Sequence, residues 1–378
     1  MNEYVNFISG ISEDMLPIGG IGGILGNTPD ILKSEKNYEK TKYLYEKSNA
    51  KYLMVDSGGF QMHLINEDNL KLLDPALKTL IIMNPGKNIY LKKRFNLCAE
   101  HVVHAVELLN PDFVVCPDLP APTPEDSDQK RYLFLNSFGY NIYSAFNMSN
   151  ILKDKGSKAN LLIPIQAFDL AEFQLYINHL AYINFDGLSF PCRLMTLERM
   201  AAFFIKAHLA GVRIIHVLGT GRFSYIAFIA YFAKHFFNFS SIDSTDLQRF
   251  SKVNSYLEPY SLRPISLRMD SEDDLKQPVK CSCPWCGYYS SFSAIQNLPK
   301  QEKRVFMVNH NHFVVEQLMA EAYEHASTAR SLFEFLCEKT TRHDECRNVY
   351  RVLSIVEAAR AHLNNENIVQ AFYRKLGF

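Results

Sequence analysis

The sequence predicts an α/β fold closed as a (β/α)8 TIM barrel, with a zinc-binding subdomain appended to it and a helical C-terminus. Three observations predict this. Short apolar runs alternate along the chain with amphipathic stretches of helical period, which is the pattern of repeated β-α units. A polar residue or a glycine stands at the carboxyl end of most of these runs: Asp56, Asp118, Gln166, Gly219 and Asp243. In a barrel those ends converge on one face, where active sites are built. A doubly wound open sheet also gathers ligands at strand ends, so the pattern favours the barrel without forcing it. Finally, 378 residues that are 47% hydrophobic are enough to bury one large core plus an appendage.

Taken in order, the runs Lys51–Val55, Phe113–Cys116, Asn160–Ile165, Gly187–Phe190, Arg213–Leu218 and Asn238–Ile242 read as strands, being short and rich in branched and aromatic residues. Helices fall between them at Asn96–Leu109, Asp169–Asn184, Leu197–Ala210 and Phe223–Phe236. The stretch from His63 to Leu91 is less regular and reads as an insertion. From Leu318 onward the period is helical, with Arg342, Arg347, Arg351 and Arg360 recurring. The expected organisation is a barrel core over residues 1–270, a metal-bearing subdomain over 271–320 and a helical extension over 321–378.

The 40 basic and 40 acidic residues cancel, so any nucleic-acid surface must be a local patch. Candidates are Lys92-Lys93-Arg94, Arg263 with Arg268, and the carboxyl-terminal arginines. The apolar run Ile226 to Phe237 contains Lys234 and His235 and is too short to span a bilayer, so no membrane partner is expected. Met1 to Phe7 carry no basic stretch leading into an apolar one, and a cytoplasmic chain is the expectation.

In a reducing compartment, clustered thiols point to metal rather than to disulfides. Cys281-Ser-Cys283-Pro-Trp-Cys286, followed by His310, suits a closed tetrahedral zinc site, with His312 as the rival fourth ligand. Four protein ligands leave no position for an activated water, so the site is structural and the reacting groups lie upstream. Cys98, Cys116, Cys192, Cys337 and Cys346 are scattered and read as small buried hydrophobes.

Val55-Asp56-Ser57-Gly58-Gly59-Phe60-Gln61 resembles the DSGGFQ motif of the tRNA-guanine transglycosylase family. Leu25-Gly26-Asn27-Thr28 resembles its LGNT segment, and Asp118 with Pro122 its D-x-x-x-P strand end. Ile165-Gln166 is similar to its VQG element, Gly219-Thr-Gly221 to its GVG turn, and Ile242-Asp243-Ser244 to the FDS of archaeal members. These pieces, the cysteine cluster and His310-Asn311 run in family order from about residue 25 to 320.

The resemblance implies a barrel with a zinc subdomain that exchanges a guanine in a polynucleotide for a free 7-substituted 7-deazaguanine base. It implies Asp243 as nucleophile and Asp56 as general acid/base, a pairing that retaining glycosidases also use. Asp118 and Gln166 would hold the guanine edge, with Ser57, Gly58, Phe60 and Gly219 completing the base site. Each residue has a plainer reading. Asp243 could cap a helix, with Asp246 as the spare nucleophile, and Asp56 could form a turn before Gly58-Gly59. Asp118 could belong to a Pro-flanked turn and Gln166 be a satisfied strand-end amide.

The chain departs from the family in two places. Phe190-Pro191-Cys192-Arg193-Leu194 stands where the family has GGLAVGE, and Pro191 has no N–H to offer a base carbonyl. Thr245-Asp246-Leu247-Gln248-Arg249 replaces the TRxGRxG-like stretch that grips the anticodon loop, and the helical C-terminus does not resemble the family's β-rich RNA module. The first departure implies a remodelled substituent side of the pocket; loss of both tRNA-gripping devices resembles the DNA-modifying branch, which inserts 7-cyano-7-deazaguanine or a relative and implies an accessory ATPase partner. A guanine inside a duplex must be flipped out or melted before any carboxylate can reach its sugar. The alternatives are the same exchange on tRNA, and a catalytically silent accessory subunit that binds nucleic acid.

Overall fold

A computed structural model of the protein describes residues 5–10, 22–57, 98–119, 127–192, 195–244, 250, 253–259, 264–267, 276, 278–340 and 342–378. Eight strands form the barrel: β1 (Asn6–Gly10), β2 (Gly23–Asn27), β3 (Tyr52–Asp56), β4 (Phe113–Val115), β5 (Asn160–Pro164), β6 (Gly187–Pro191), β7 (Ile214–Leu218) and β8 (Phe239–Ser244). Each pairs in parallel with the next, and β8 returns to pair with β1, so the sheet closes.

The six strands read from the sequence correspond to β3–β8, with ends that differ by one or two residues. Two strands were not read. β1 carries Asn6 and Ser9 among few apolar residues, and β2 has Gly23 and Gly26, which look like a turn. Gly23 is a packing requirement: a Cβ there would come to 2.5 Å from Ile8 Cδ1 and 2.9 Å from the Tyr52 carbonyl oxygen. The bare backbone lets β1, β2 and β3 approach one another.

The expected helices appear at Ala99–Leu109, Leu170–Leu180, Leu197–Leu209 and Phe223–His235. Asp169 and Thr196 cap two of them by accepting from the N–H groups of Glu172 and Arg199. The helix Ser127–Asp154 was not expected; its asparagines, serines, aromatics and Gly139 are poor helix formers, so packing rather than propensity makes it.

Alternation along the strands divides the core. Ile8, Leu25, Met54, Phe113, Val115, Leu162 and Phe239 cluster inside the barrel with Tyr52 and Ile214. Val55, Val114, Ile163, Leu188, Ile215 and Ile242 face the helices. Phe113 stacks on Phe239 with centroids 4.4 Å apart, and Tyr52 meets both edge-on. All three begin their strands, so the amino-terminal end of the barrel is filled by aromatic rings. Several inward positions further along are polar: His216, Ser241 and Asp243, and Asp56 beyond Met54. Chemistry is therefore confined to the carboxyl end.

Past the barrel come the antiparallel pair β9 (Ser255–Leu257) and β10 (Pro264–Ser266), a short helix Phe292–Gln296 and the long helix Lys300–His325. That helix packs on Phe223–His235 and continues past residue 320. The C-terminus is helical, as expected, with helices at Ala329–Lys339, His343–Arg360 and Glu366–Lys375. Its arginines are engaged by acids: Arg342 with Glu345, Arg347 with Asp344, and Arg351 with Glu198 of the barrel helix Leu197–Leu209. Lys92, Lys93, Arg94, Arg263 and Arg268 lie outside the described residues. Among the described residues no helix is long and apolar enough to cross a membrane.

Candidate active site and metal centre

Asp56 is the last residue of β3 and pairs with Asn27 of β2. The next residue on β2's side, Thr28, donates its hydroxyl to the Asp56 carbonyl oxygen at 2.8 Å, and Ser57 beside it is buried. The LGNT and DSG segments are thus neighbours that fix one stretch of rim. Gly58, Phe60, Pro122 and Asp246 fall outside the described residues.

The loops after β4 and β5 bring Asp118 and Gln166 together, both buried, with Gln166 Nε2 donating to Asp118 Oδ2 at 2.6 Å. A carboxylate accepts only, so the amide must present its nitrogen to it, and this leaves Oε1 buried without a partner among the described residues. Behind the pair, Asn141 accepts from the Leu119 N–H at 2.6 Å and donates to the Tyr176 hydroxyl at 3.0 Å. Burial pushes the Tyr176 phenol well up, so it stays neutral. The result is a rigid, acceptor-rich edge suited to a flat ring with adjacent N–H donors.

The loop after β7 holds Asp243. Gly219 adopts a φ of +74°, a conformation glycine enters without strain, and its N–H donates to Asp243 Oδ1 at 2.8 Å. The Thr220 N–H bonds the Asp243 carbonyl oxygen at 3.0 Å, so the same turn holds backbone and side chain. Asp243 lies within β8, its carboxylate facing the β7 turn and its side chain 14% exposed. On the inner side, the His216 imidazole approaches the same oxygen.

Asp56, Ser57, Asp118, Gln166, Gly219 and Asp243 therefore share the carboxyl rim, spread over β3, β4, β5, β7 and β8. Around the barrel only β1 and β2 separate the strands bearing the two aspartates. Sequence reasoning missed His216, Ser241, Asn141 and Tyr176. One signal was present: a lone histidine inside the apolar run Ile214-Ile-His-Val-Leu218, on the inward parity. Cys192 is buried past Pro191, and Cys116, buried throughout, has its thiol pushed up to about 12, so it is no nucleophile near neutral pH.

In the appendage, the sulfurs of Cys281, Cys283 and Cys286 and a ring nitrogen of His310 all lie within 4.8 Å of one another. His310 Nδ1 is 3.3 to 3.7 Å from the three sulfurs, and its Nε2 is 2.8 Å from the Leu257 carbonyl oxygen. That outer bond puts the proton on Nε2 and frees Nδ1 as a ligand, the usual arrangement for a metal-bound imidazole. The Tyr256 ring stacks on His310 at 3.8 Å. Hydrogen bonds with Cys283 and Cys286 hold the Cys281 thiol down, and hydrogen bonds with Cys281 and Cys283 push Cys286 up. Three thiolates cannot crowd together without a cation between them, so the donor set fits a thiophilic divalent metal. His310, and not His312, completes it.

Fold and site together define a class: a (β/α)8 barrel with carboxylates on its carboxyl rim and a three-cysteine, one-histidine cluster that could hold a metal ion. The family model for queuine tRNA-ribosyltransferase matches residues 5–345, and the chain belongs to that family. Membership makes the protein a pentosyltransferase of the guanine-transglycosylase kind, acting on nucleic acid and a guanine-type base. No curated protein matches the chain.

Proposed function

We propose that the protein exchanges a guanine in DNA for a free 7-substituted 7-deazaguanine, with 7-cyano-7-deazaguanine the favoured base. An Asp243 oxygen attacks C1′ as the C1′–N9 bond breaks, and Asp56 protonates the departing guanine. The incoming base then takes C1′ from the ester and gives its proton to Asp56, so both groups return to their starting states. Asp118 and Gln166 are assigned to grip the ring edge, and the family motif assigns Ser57, Gly58, Phe60 and Gly219 to the same base site. The observation that carries this reading is the placement of two carboxylates on one rim, with Asp243 Oδ1 already held by the Gly219 N–H.

Zinc is the metal proposed for Cys281, Cys283, Cys286 and His310 Nδ1; it would fix the appendage and leave no open position. In this reading residues 1–270 are the catalytic core, 271–320 the zinc subdomain and 321–378 a helical extension, in a cytoplasmic protein served by an accessory ATPase that opens the duplex. DNA is favoured by the replaced stretch at Thr245 to Arg249 and by the helical C-terminus, which together remove both tRNA-gripping devices of the family. The second reading is the same exchange on tRNA, which the family's own description favours. A silent accessory subunit is disfavoured because both Asp56 and Asp243 are present.

The test is incubation with labelled guanine and either duplex DNA or bulk tRNA. Label entering DNA supports the proposal, and label entering tRNA alone overturns the DNA substrate. A denaturation-resistant adduct that disappears in Asp243→Ala supports the nucleophile, and one that survives relocates it.

A further inference from the structure

Resting on the reading of Asp243 as nucleophile, we propose that His216 is a positioning residue that pins Asp243 Oδ1, leaving Oδ2 to attack C1′ and keeping the resulting ester labile. His216 is the middle residue of β7, fully buried, with its side chain on the inward parity. Its Nδ1 lies 2.9 Å from Ser241 Oγ, and its Nε2 lies 3.5 Å from Asp243 Oδ1. His216 and Ser241 are register partners across β7 and β8, so the hydroxyl locks the ring at a fixed height below Asp243.

Among the described residues Nε2 meets no other polar atom within bonding distance. Burying a ring nitrogen with no close partner destabilises a fold, and the inward neighbours Ile214 and Leu218 show that an apolar residue suits this surface. What the histidine faces accounts for its presence. A carboxylate only accepts, so Nε2 carries the proton, and in the neutral ring Nδ1 accepts from Ser241. The 3.5 Å separation is long for a hydrogen bond, as such contacts often are before substrate arrives.

Oδ1 thus receives the Gly219 N–H and faces the His216 N–H, whereas Oδ2 has no partner among the described residues. When Oδ2 bonds C1′ and the electron pair of C1′–N9 leaves with the base, Oδ1 becomes the ester carbonyl oxygen. Donors on Oδ1 favour the carboxylate over the ester, because the carboxylate oxygen carries more charge. They speed departure of the carboxylate when the incoming base takes C1′, and so prevent the protein from stalling as the adduct.

The experiment compares His216→Phe, which deletes the donor, with His216→Gln, which returns an N–H at similar reach. Labelled-guanine exchange and denaturation-resistant adduct are measured with duplex DNA and with bulk tRNA. The Phe variant is expected to lose on the order of tenfold or more in kcat with KM little changed. A larger fraction of it should be caught as adduct, and the Gln variant should recover to within a few-fold. Unchanged exchange in the Phe variant, equal impairment of both variants, or adduct falling in step with rate each overturns the proposal. If the Phe variant does not fold, Ser241→Ala is expected to give the same pattern in milder form.

Nitrogen NMR of the protein with isotope-labelled histidine reads the ring without turnover. It should show His216 protonated at Nε2, with that resonance moving in Asp243→Asn; a bare Nε2 overturns the proposal. Failure of the parent reading looks different: no adduct from the unmodified protein, or one that survives Asp243→Ala.

Discussion

Gln166 Nε2 lies 2.6 Å from Asp118 Oδ2 in a buried pair that joins the ends of β4 and β5. With the amide nitrogen turned to the carboxylate, the buried Oε1 of Gln166 is the acceptor that the described residues leave for a ligand. Asp118→Asn replaces the charge with an amide of the same shape. Losing a charge-assisted bond of about 1.5–3 kcal/mol predicts a KM for guanine raised roughly tenfold to a hundredfold, with thermal stability nearly unchanged. Guanine-exchange kinetics with a parallel melting curve check this; a large fall in melting temperature with KM intact would assign the pair to structure.

Gly219 reaches Asp243 only because its backbone turns at a φ of +74°. A Cβ there meets nothing within 4 Å among the described residues, so Gly219→Ala tests chiefly the backbone conformation. Strain of about 1–2 kcal/mol is expected either to destabilise the protein by that amount or to flip the turn and withdraw the N–H from Asp243. On the proposed reading, the exchange rate should fall by about tenfold or more while equilibrium guanine binding persists. Equilibrium binding of labelled guanine separates the two.

Trp285, the only tryptophan of the chain, sits between Cys283 and Cys286. It packs both with the metal-site cluster of Tyr256, Phe292 and Phe306 and with Leu44 and Leu53 of the barrel side. Its fluorescence therefore reports docking of the appendage directly. Metal removal by a chelator is expected to shift the emission to the red, and Cys283→Ala should do the same while lowering solubility. Wild-type emission in a metal-replete Cys283→Ala protein would break the ligand assignment.

What was legible in the sequence was whatever depends on local pattern. β3 to β8 announce themselves as apolar runs, and the thiol cluster is contained in six residues from Cys281 to Cys286. β1 and β2 were not legible because their glycines and polar residues make sense only once three strands crowd at Gly23. His216 was hidden for a similar reason. A histidine in a strand means little until register pairs it with Ser241 and parity turns it beneath Asp243. Asn141 and Tyr176 come from helices far along the chain, and only tertiary packing brings them behind Asp118.

Glu316 lies on the long helix at the opposite end of the barrel from the candidate site, accepting the Gly22 N–H at 2.7 Å just before β2. Burial pushes its carboxyl up to about 8, against the pull of the Gly22 N–H and of Lys51. The sign follows from linkage. Below the ordinary carboxylate value of 4.5 the group is neutral in both folded and unfolded chains and carries no cost. Between 4.5 and about 8 the unfolded chain releases the proton while the folded one retains it, so stability drains away as pH rises. Glu316→Gln keeps an acceptor for Gly22 without a titrating proton. Relative to the parent, it should gain about 1–3 kcal/mol between about pH 5 and about pH 9, read from urea melts at both values. Parallel pH profiles for the two proteins would show that the carboxyl ionises freely in the fold.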